Sequence, residues 1–267
     1  MKISKTHFFN FKEASIAYQI YGRGPSVVFL HGYCEDSFIW QSGIKRWSKT
    51  HTCITIDLPG FGKSSLLKGY SIEDLGDMVA ALLSQLSIAK VSLIGHSMGG
   101  YVALAFAKKY PLLLSSIGLI HSHCFDDNEA KKANRRKSID FIKRHGTSAF
   151  LTPFYTQLFA AENFAKHKHL IADLTRRNAS LSVEAIITGA EALINRPSFE
   201  QVLKSIDCPV LIFGGGQDAA IAKEQTMKMA TMPAIADFYF EQNVGHMGFF
   251  ECKSIFEKAV SDFLERI

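Results

Sequence analysis

Short, nearly continuous apolar runs alternate along the chain with longer segments in which apolar residues recur every three or four positions. The short runs are typical of strands that helices cover on both faces. The periodic segments predict helices, of which the first follows the N-cap candidate Ser71 and the second ends before Pro111. The predicted strands are 15–20, 27–30, 52–56, 91–94, 116–120, 210–213 and 236–240, and the predicted helices are 72–86, 101–110 and 255–264.

Strands that alternate with helices predict an α/β fold with a mostly parallel central sheet flanked by helices. The alternation is interrupted once, because residues 122–199 contain no convincing strand. We interpret this segment as a helical cap inserted between two strands. The predicted organisation is therefore a core formed by 1–121 and 200–267, with a cap, or lid, formed by 122–199.

Composition narrows the possible classes of protein. The chain has 267 residues, of which 47% are hydrophobic and 21% charged, so it can bury a large core. The net charge of +5 is spread along the sequence, which argues against nucleic-acid binding. No apolar run approaches the roughly 18 residues of a membrane span, and the N-terminus does not resemble a secretory signal. We expect a soluble, cytoplasmic protein that binds no membrane.

The cysteine pattern carries no metal or disulfide signature. The five cysteines are widely separated and form no C-x-x-C pair. Reduced thiols are the simplest interpretation in a cytosolic chain. We expect no metal site, and the chemistry proposed below requires no cofactor.

The most informative motif is Gly95-His96-Ser97-Met98-Gly99, which stands where a predicted strand passes into a predicted helix. A serine on such a sharp turn needs small neighbours, because other parts of the chain pass close to it. The turn exposes the hydroxyl and places it at a helix N-terminus, where negative charge is favoured. Ser97 is therefore a candidate nucleophile; the alternative is a glycine-rich bend with an incidental helix-capping serine.

A serine hydroxyl needs a histidine that accepts its proton and a carboxylate that orients the histidine. Asp218 follows the apolar run 210–213, and His246 stands in a loop before the last predicted helix. Either residue alone has an ordinary alternative, since Asp218 can cap a helix and His246 can be a loop histidine. Their joint occurrence after Ser97 predicts a Ser97–His246–Asp218 triad.

Acyl transfer also requires hydrogen-bond donors for the oxyanion. The candidate donors are the backbone N–H groups of Met98 and of Tyr33, which follows the strand 27–30. We interpret His31 as a structural residue, because a second general base has no evident task. The phenol of Tyr33 is a further candidate for contact with the substrate.

These residues resemble the α/β-hydrolase fold superfamily, in particular its single-domain, capped serine hydrolases. The matching motifs span nearly the whole chain outside the insertion: His31-Gly32-Tyr33, Asp57-Leu58-Pro59-Gly60-Phe61-Gly62-Lys63-Ser64, Gly95-His96-Ser97-Met98-Gly99-Gly100, Asp218 and Gly245-His246. The resemblance implies Ser97 as nucleophile, Asp218 as acid and His246 as base. Relatives with an aspartate nucleophile are disfavoured by the serine at position 97, and Asp57 is interpreted as structural.

The predicted cap contains the basic segment 131–146 and several aromatic residues. The basic segment could attract an anionic substrate, but a solvated helix face is the favoured interpretation. The aromatic residues either pack the cap or line an acyl pocket, and packing is favoured. The candidate substrate-binding residues are Tyr33, Trp40, Phe154 and Phe159.

The leading hypothesis is a serine esterase that acts on small-molecule carboxylic esters, as a monomer or a homodimer. The same triad in this superfamily also serves C–C bond hydrolysis and a lyase reaction of menaquinone biosynthesis. A hydrolase-fold ligand receptor with little turnover is the alternative from another class. The sequence does not distinguish the acyl group that the cap selects.

Overall fold

The computed structural model describes residues 5–267, and in that range the chain is built around one eight-stranded sheet. The strand order is β1-β2-β4-β3-β5-β6-β7-β8. Of these eight strands, β2 alone is antiparallel to its neighbours, so the sheet is mostly parallel, as predicted. The strands are β1 (His7–Phe11), β2 (Ala14–Tyr21), β3 (Ser26–Leu30), β4 (Thr52–Ile56), β5 (Val91–His96), β6 (Leu114–Ile120), β7 (Val210–Gly215) and β8 (Ala236–Glu241).

Helices cover the sheet, and the α/β class with a helical insertion is confirmed. The predicted N-cap Ser71 forms a capping box with Asp74, in which each side chain accepts a hydrogen bond from the other residue's backbone N–H. The helices are α1 (Gln41–Trp47), α2 (Ile72–Gln85), α3 (Met98–Lys109), α4 (Glu129–Leu158), α5 (Phe164–Arg177), α6 (Val183–Asn195), α7 (Glu200–Lys204), α8 (Lys223–Met229), α9 (Gly248–Glu251) and α10 (Lys253–Leu264). No helix in residues 5–267 combines the length and apolarity needed to cross a bilayer.

Strand β1 was not predicted, because its sequence HFFNF does not alternate apolar and polar residues. Phe9 is buried in this edge strand, whereas Phe8 is exposed. The turn that joins β1 to β2 contains Lys12 with a φ of 51°, where a glycine or an asparagine would have marked a hairpin. Residues 1–4 of the predicted core unit lie outside the described residues.

Helices α4 to α7 lie between β6 and β7, where the insertion was predicted. Helix α4 packs against both α5 and α6. Its regular backbone is interrupted at Gly146, which has a φ of 78°, so the helix consists of two arms that point in different directions. The exact cap boundaries, 122 and 199, stay a prediction.

The two ends of the insertion are joined by a buried ion pair. Asp127, which precedes α4, accepts a 2.9 Å hydrogen bond from Arg196, which follows α6. Both side chains are fully buried, and Asp127 also accepts a 2.6 Å bond from Arg135. Burial opposes ionisation of Asp127, but its bonds to Arg196 and the charge of Arg135 lower the pKa of this carboxyl.

We expect Asp127→Ala to lower the free energy of unfolding by about 3–5 kcal/mol, because it leaves the buried Arg196 without its carboxylate. Since folding lowers the pKa of Asp127, this stabilisation is present at neutral pH and is lost as the pH falls below the ordinary value of 3.8. Urea titrations at pH 7 measure the difference. The exposed neighbour Asp126 provides the control Asp126→Ala, and equal stability of the two variants would contradict the assignment.

Candidate active site

Ser97 occupies a strained turn between β5 and α3. Its φ of 48° and ψ of −112° lie outside the regions that L-residues usually adopt. The turn is held because the Ser97 N–H donates to the Ile120 carbonyl at 2.9 Å and the Ser97 carbonyl accepts from the Ser122 hydroxyl at 2.8 Å. The serine side chain lies at the carboxyl end of the sheet, at the N-terminus of a buried helix.

The glycines of the motif are required by close backbone approaches. A Cβ at Gly95 would lie 2.3 Å from the carbonyl of Gly99, and a Cβ at Gly99 would lie 2.3 Å from the carbonyl of Leu30. Both distances are shorter than any normal contact of a side chain. The motif therefore has the small neighbours that the sequence analysis required of a sharp strand-to-helix turn.

Asp218 follows β7 and is almost completely buried. One carboxylate oxygen accepts the backbone N–H groups of Ala220 and Ile221, at 2.8 and 2.9 Å. The other oxygen accepts His246 Nδ1 at 2.8 Å and His121 Nδ1 at 3.1 Å. Burial alone would raise the pKa of Asp218, but the two histidines hold it far below its usual range. Asp218 is therefore both a local cap and the partner of the histidine.

His246 stands in the loop after β8, and its ring is oriented by Asp218. Because Nδ1 donates to the carboxylate, Nε2 is the nitrogen left to act as a base. Ser97 and His246 line the same cavity, which has a volume of about 300 Å³. In residues 5–267 the Ser97 hydroxyl makes no hydrogen bond to the imidazole, so the bond that a triad requires is not formed in this state.

The two candidate oxyanion donors stand at the ends of neighbouring strands. Tyr33 follows β3, and Met98 opens α3. Within residues 5–267 neither backbone N–H has an intramolecular acceptor. The phenol of Tyr33 donates to the Ile186 carbonyl of α6 at 2.8 Å, so it fastens the cap to the core while the ring lines the cavity.

His121 was not identified from the sequence. It follows β6, has a φ of 45°, and donates Nδ1 to the same Asp218 oxygen as His246. Burial lowers the pKa of His121, and its bond to Asp218 opposes this effect. His121, Asp218 and His246 offer ligand atoms within 4.8 Å of one another, as a metal site would, but the two hydrogen bonds to Asp218 account for that proximity.

The sequence analysis also missed a pair of buried side chains next to the loops of the candidate site, Glu35 and His96. Glu35 accepts the Gly32 N–H at 2.7 Å and His96 Nδ1 at 2.8 Å, and both side chains are buried. The other nitrogen of His96 donates to the His246 carbonyl at 3.0 Å. Burial opposes ionisation of Glu35, but the charge of His96 and their hydrogen bond lower its pKa. The pair connects the loop of Tyr33 with the loop of His246.

Glu251 fastens the His246 loop to the cap. One of its oxygens accepts the N–H groups of Gly245 and Met247, at 3.0 and 3.3 Å. The other accepts Ala160 N and Asn163 Nδ2, both at 2.9 Å. In addition, the His246 N–H donates to the carbonyl of Leu158 at 2.7 Å, so the end of α4 is bonded directly to the loop.

Two of the four predicted substrate-binding residues line the cavity, Tyr33 and Phe154. Trp40 does not, because it is buried in the core, where its ring lies 5.4 Å from that of Phe29 and 5.9 Å from that of Phe249. Phe159 does not either, because it is buried beside His167 under α5. In both cases packing accounts for the aromatic ring.

His31 and Asp57 make the contacts of structural residues. His31 Nε2 accepts the Leu58 N–H at 2.8 Å, and its Nδ1 lies 2.7 Å from the Gly32 carbonyl. Asp57 accepts two backbone N–H groups, those of Ser37 and Lys63. Both side chains hold loops next to the candidate site.

Comparison with known proteins identifies a family. A model of the alpha/beta hydrolase fold matches residues 25–252. A thermophilic esterase from Thermogutta terrifontis, solved with malate bound, superposes with a TM-score of 0.91 at 26% identity, over 98% of this chain and 99% of that one. An enol-lactonase from Burkholderia xenovorans LB400 shares the fold with a TM-score of 0.89 at 22% identity, over 97% and 100% of the two chains.

A relative of similar length is the putative 2-succinyl-6-hydroxy-2,4-cyclohexadiene-1-carboxylate synthase of Bacillus subtilis strain 168. It is 28% identical over 271 residues, which cover 94% of this chain and 96% of the synthase. Other curated relatives are longer: the chain spans 31% of one from Mycobacterium tuberculosis and 55% of one from Pseudomonas putida.

We expect Glu35→Gln to lower kcat by about tenfold or more, because the neutral amide removes the buried negative charge that balances His96, whose two ring nitrogens both face acceptors. Steady-state ester hydrolysis measures the change at a temperature where the variant is folded, as verified by circular dichroism. Glu191, exposed on α6, provides the control Glu191→Gln. An unchanged kcat in a folded Glu35→Gln variant would show that the pair does not position the site.

Proposed function

Since the chain belongs to the α/β-hydrolase fold family, we propose that it is a serine hydrolase that cleaves small-molecule carboxylic esters through an acyl-enzyme. The observation that carries this proposal is the Asp218–His246 hydrogen bond of 2.8 Å beside a cavity that also contains Ser97 on its strained turn. A carboxylate-oriented imidazole that lines the same cavity as a serine is the arrangement that activates an alcohol for attack.

In the proposed reaction the Ser97 hydroxyl attacks the ester carbonyl while His246 Nε2 accepts its proton. The oxyanion accepts hydrogen bonds from the N–H groups of Tyr33 and Met98, which are free for this purpose. As the tetrahedral intermediate collapses, the C–O bond to the leaving group breaks and His246 returns the proton to the alcohol. Water then attacks the acyl-enzyme by the same route and releases the acid.

The electrostatics of the site support this assignment. Asp218 stays ionised because four donors surround it, so it can stabilise the imidazolium that forms when His246 accepts the proton. The N-terminus of α3 adds favourable potential for the oxyanion. The proposed reaction requires the Ser97 hydroxyl to form its bond to His246, and such bonds commonly tighten only when substrate binds.

The similarity to the Bacillus subtilis synthase supports a second candidate, in which the same three side chains serve the reaction of that enzyme. The two candidates differ in their expected response to simple esters. Turnover of several neutral esters favours the hydrolase, whereas a protein that is labelled at its serine but turns over no ester favours the second candidate or a ligand receptor.

We expect Ser97→Ala to abolish labelling by a fluorophosphonate probe and to lower kcat for p-nitrophenyl acetate and butyrate by about 10⁴-fold or more, since the nucleophile is removed. Gel fluorescence and nitrophenolate absorbance measure the two effects. The exposed Ser205 provides the control Ser205→Ala, which is expected to keep both signals. Equal labelling of the Ser97→Ala variant would refute the proposed nucleophile.

A further inference from the structure

One wall of the catalytic cavity is polar and cationic. The first arm of α4 contributes Lys131, Asn134, Arg135 and Ser138, all of which line the cavity. These positions follow the i, i+3, i+4, i+7 spacing of a single helix face. Their neighbours Arg136 and Lys137 are exposed to solvent, so the basic segment is divided between a cavity face and a solvated face.

Another part of the cavity lining is largely apolar. The second arm of α4, which follows the interruption at Gly146, contributes Phe150, Phe154 and Leu158. Helix α6 adds Ala190 and Leu193. A ligand that fills the space therefore meets an apolar surface on one side and cationic donors on the other.

Both cations of this wall have unused hydrogen-bond donors. The Lys131 ammonium group donates one hydrogen bond, to the Ala220 carbonyl at 2.8 Å. It lies 3.9 Å from the Asp127 carboxylate, beyond hydrogen-bond distance. Arg135 uses Nε on Asp127. Within residues 5–267 neither terminal nitrogen of Arg135 has an acceptor. The Lys131 and Arg135 side chains are only 31% and 22% exposed.

Positive charge exceeds negative charge around this wall. Asp127 is the shared carboxylate of Lys131, Arg135 and the fully buried Arg196. The acidic residue that lines the cavity among residues 5–267, Glu35, is already paired with His96 at the other side of the site. An additional anion would relieve the repulsion among the three cations and use the free donors.

We propose that Lys131 and Arg135 bind an anionic group of the substrate, so that the preferred esters carry a carboxylate together with an apolar body. This inference rests on the proposed esterase function, because it concerns the substrate of the same site. Three cations share the single carboxylate of Asp127 in this network. Two of those three face the cavity that contains Ser97.

The titration of Lys131 is consistent with this role. Burial lowers its pKa to about 8, with Arg135 and Arg196 acting in the same direction and Asp127 and Asp218 opposing it. The ammonium form therefore predominates at neutral pH and is lost as the pH rises through about 8. Selection for an anion should weaken over the same range.

Two pairs of esters that differ by one terminal group test the proposal. Monoethyl adipate and ethyl hexanoate differ by a carboxylate on the acyl side, and 4-acetoxybutanoate and butyl acetate differ by a carboxylate on the alcohol side. In at least one pair we expect kcat/KM to favour the anionic ester about ten- to hundredfold, as charged hydrogen bonds do. A pH-stat measures acid release. Equal or better use of the neutral ester in both pairs would overturn the proposal.

The variants Lys131→Met and Arg135→Gln are each expected to reduce this anionic-to-neutral ratio by about tenfold. Lys131→Arg is expected to keep most of it. Lys137→Met and Arg136→Gln make the same changes of charge on the solvated face and are expected to keep the ratio of the wild type. A ratio that survives in both cavity variants, or falls equally in the solvent-face variants, would overturn the assignment.

The ratio of kcat/KM for the anionic ester to that for the neutral ester also depends on pH. Loss of packing in a variant would not change this pH dependence. The ratio should fall above pH 8 in the wild type and become flatter in Lys131→Met, because steps common to both esters cancel. A ratio that depends on pH equally in both proteins would contradict the role of Lys131.

Binding to Ser97→Ala separates failure of this inference from failure of the proposed function. Titration calorimetry with adipate, and with adipamide as the uncharged control, requires no turnover. If no ester is hydrolysed by the wild type, the esterase proposal is wrong, and adipate binding that depends on Lys131 and Arg135 still supports the anion site. If adipate binds no better than adipamide, the anion site is refuted whatever the esterase assays show.

Discussion

A single buried carboxylate determines where the candidate chemistry can occur. Asp218 is removed from water yet ionised, and this is tolerable only because four N–H donors converge on its two oxygens. Those donors come from the segment after β7, from the end of β6 and from the loop after β8. Since β6, β7 and β8 are adjacent parallel strands, their carboxyl ends meet at one edge of the sheet. The sheet order is thus what allows residues distant in sequence to share one charge.

Sequence reasoning found the residues that carry local signatures. The turn at Ser97 was predictable because backbone proximity forces glycine at positions 95 and 99. The central strands β3 to β7 were predictable because both of their faces are buried. The pairing of Glu35 with His96, 61 positions apart, leaves no periodic or compositional signal, and neither does the bond from His121 to Asp218. Trp40 was predicted to bind substrate but is buried in the core. A large aromatic residue after a loop of the candidate site is equally compatible with a core position and a pocket position.

The cap shows why a basic segment cannot be assigned from composition alone. The solvated-face interpretation is correct for Arg136 and Lys137, yet Lys131 and Arg135 on the same helix line the cavity. Arg135 and Arg136 are adjacent in sequence, so the two environments lie on different faces of the same helical turn. Which face points inward depends on how α4 packs against α5 and α6 and on the change of direction at Gly146, and both are properties of the tertiary structure.

The bonds of Glu251 have a consequence for how this scaffold can change. Hydrogen bonds join Leu158, Ala160 and Asn163 of the insertion to His246 and Glu251. The insertion and the loop that carries His246 are therefore held together. A chimaera that replaces the whole insertion would remove the Leu158 carbonyl that accepts the His246 N–H and two of the four donors to Glu251. These bonds are therefore kept in an exchange of the insertion only when residues 158–163 are inherited together with the loop after β8.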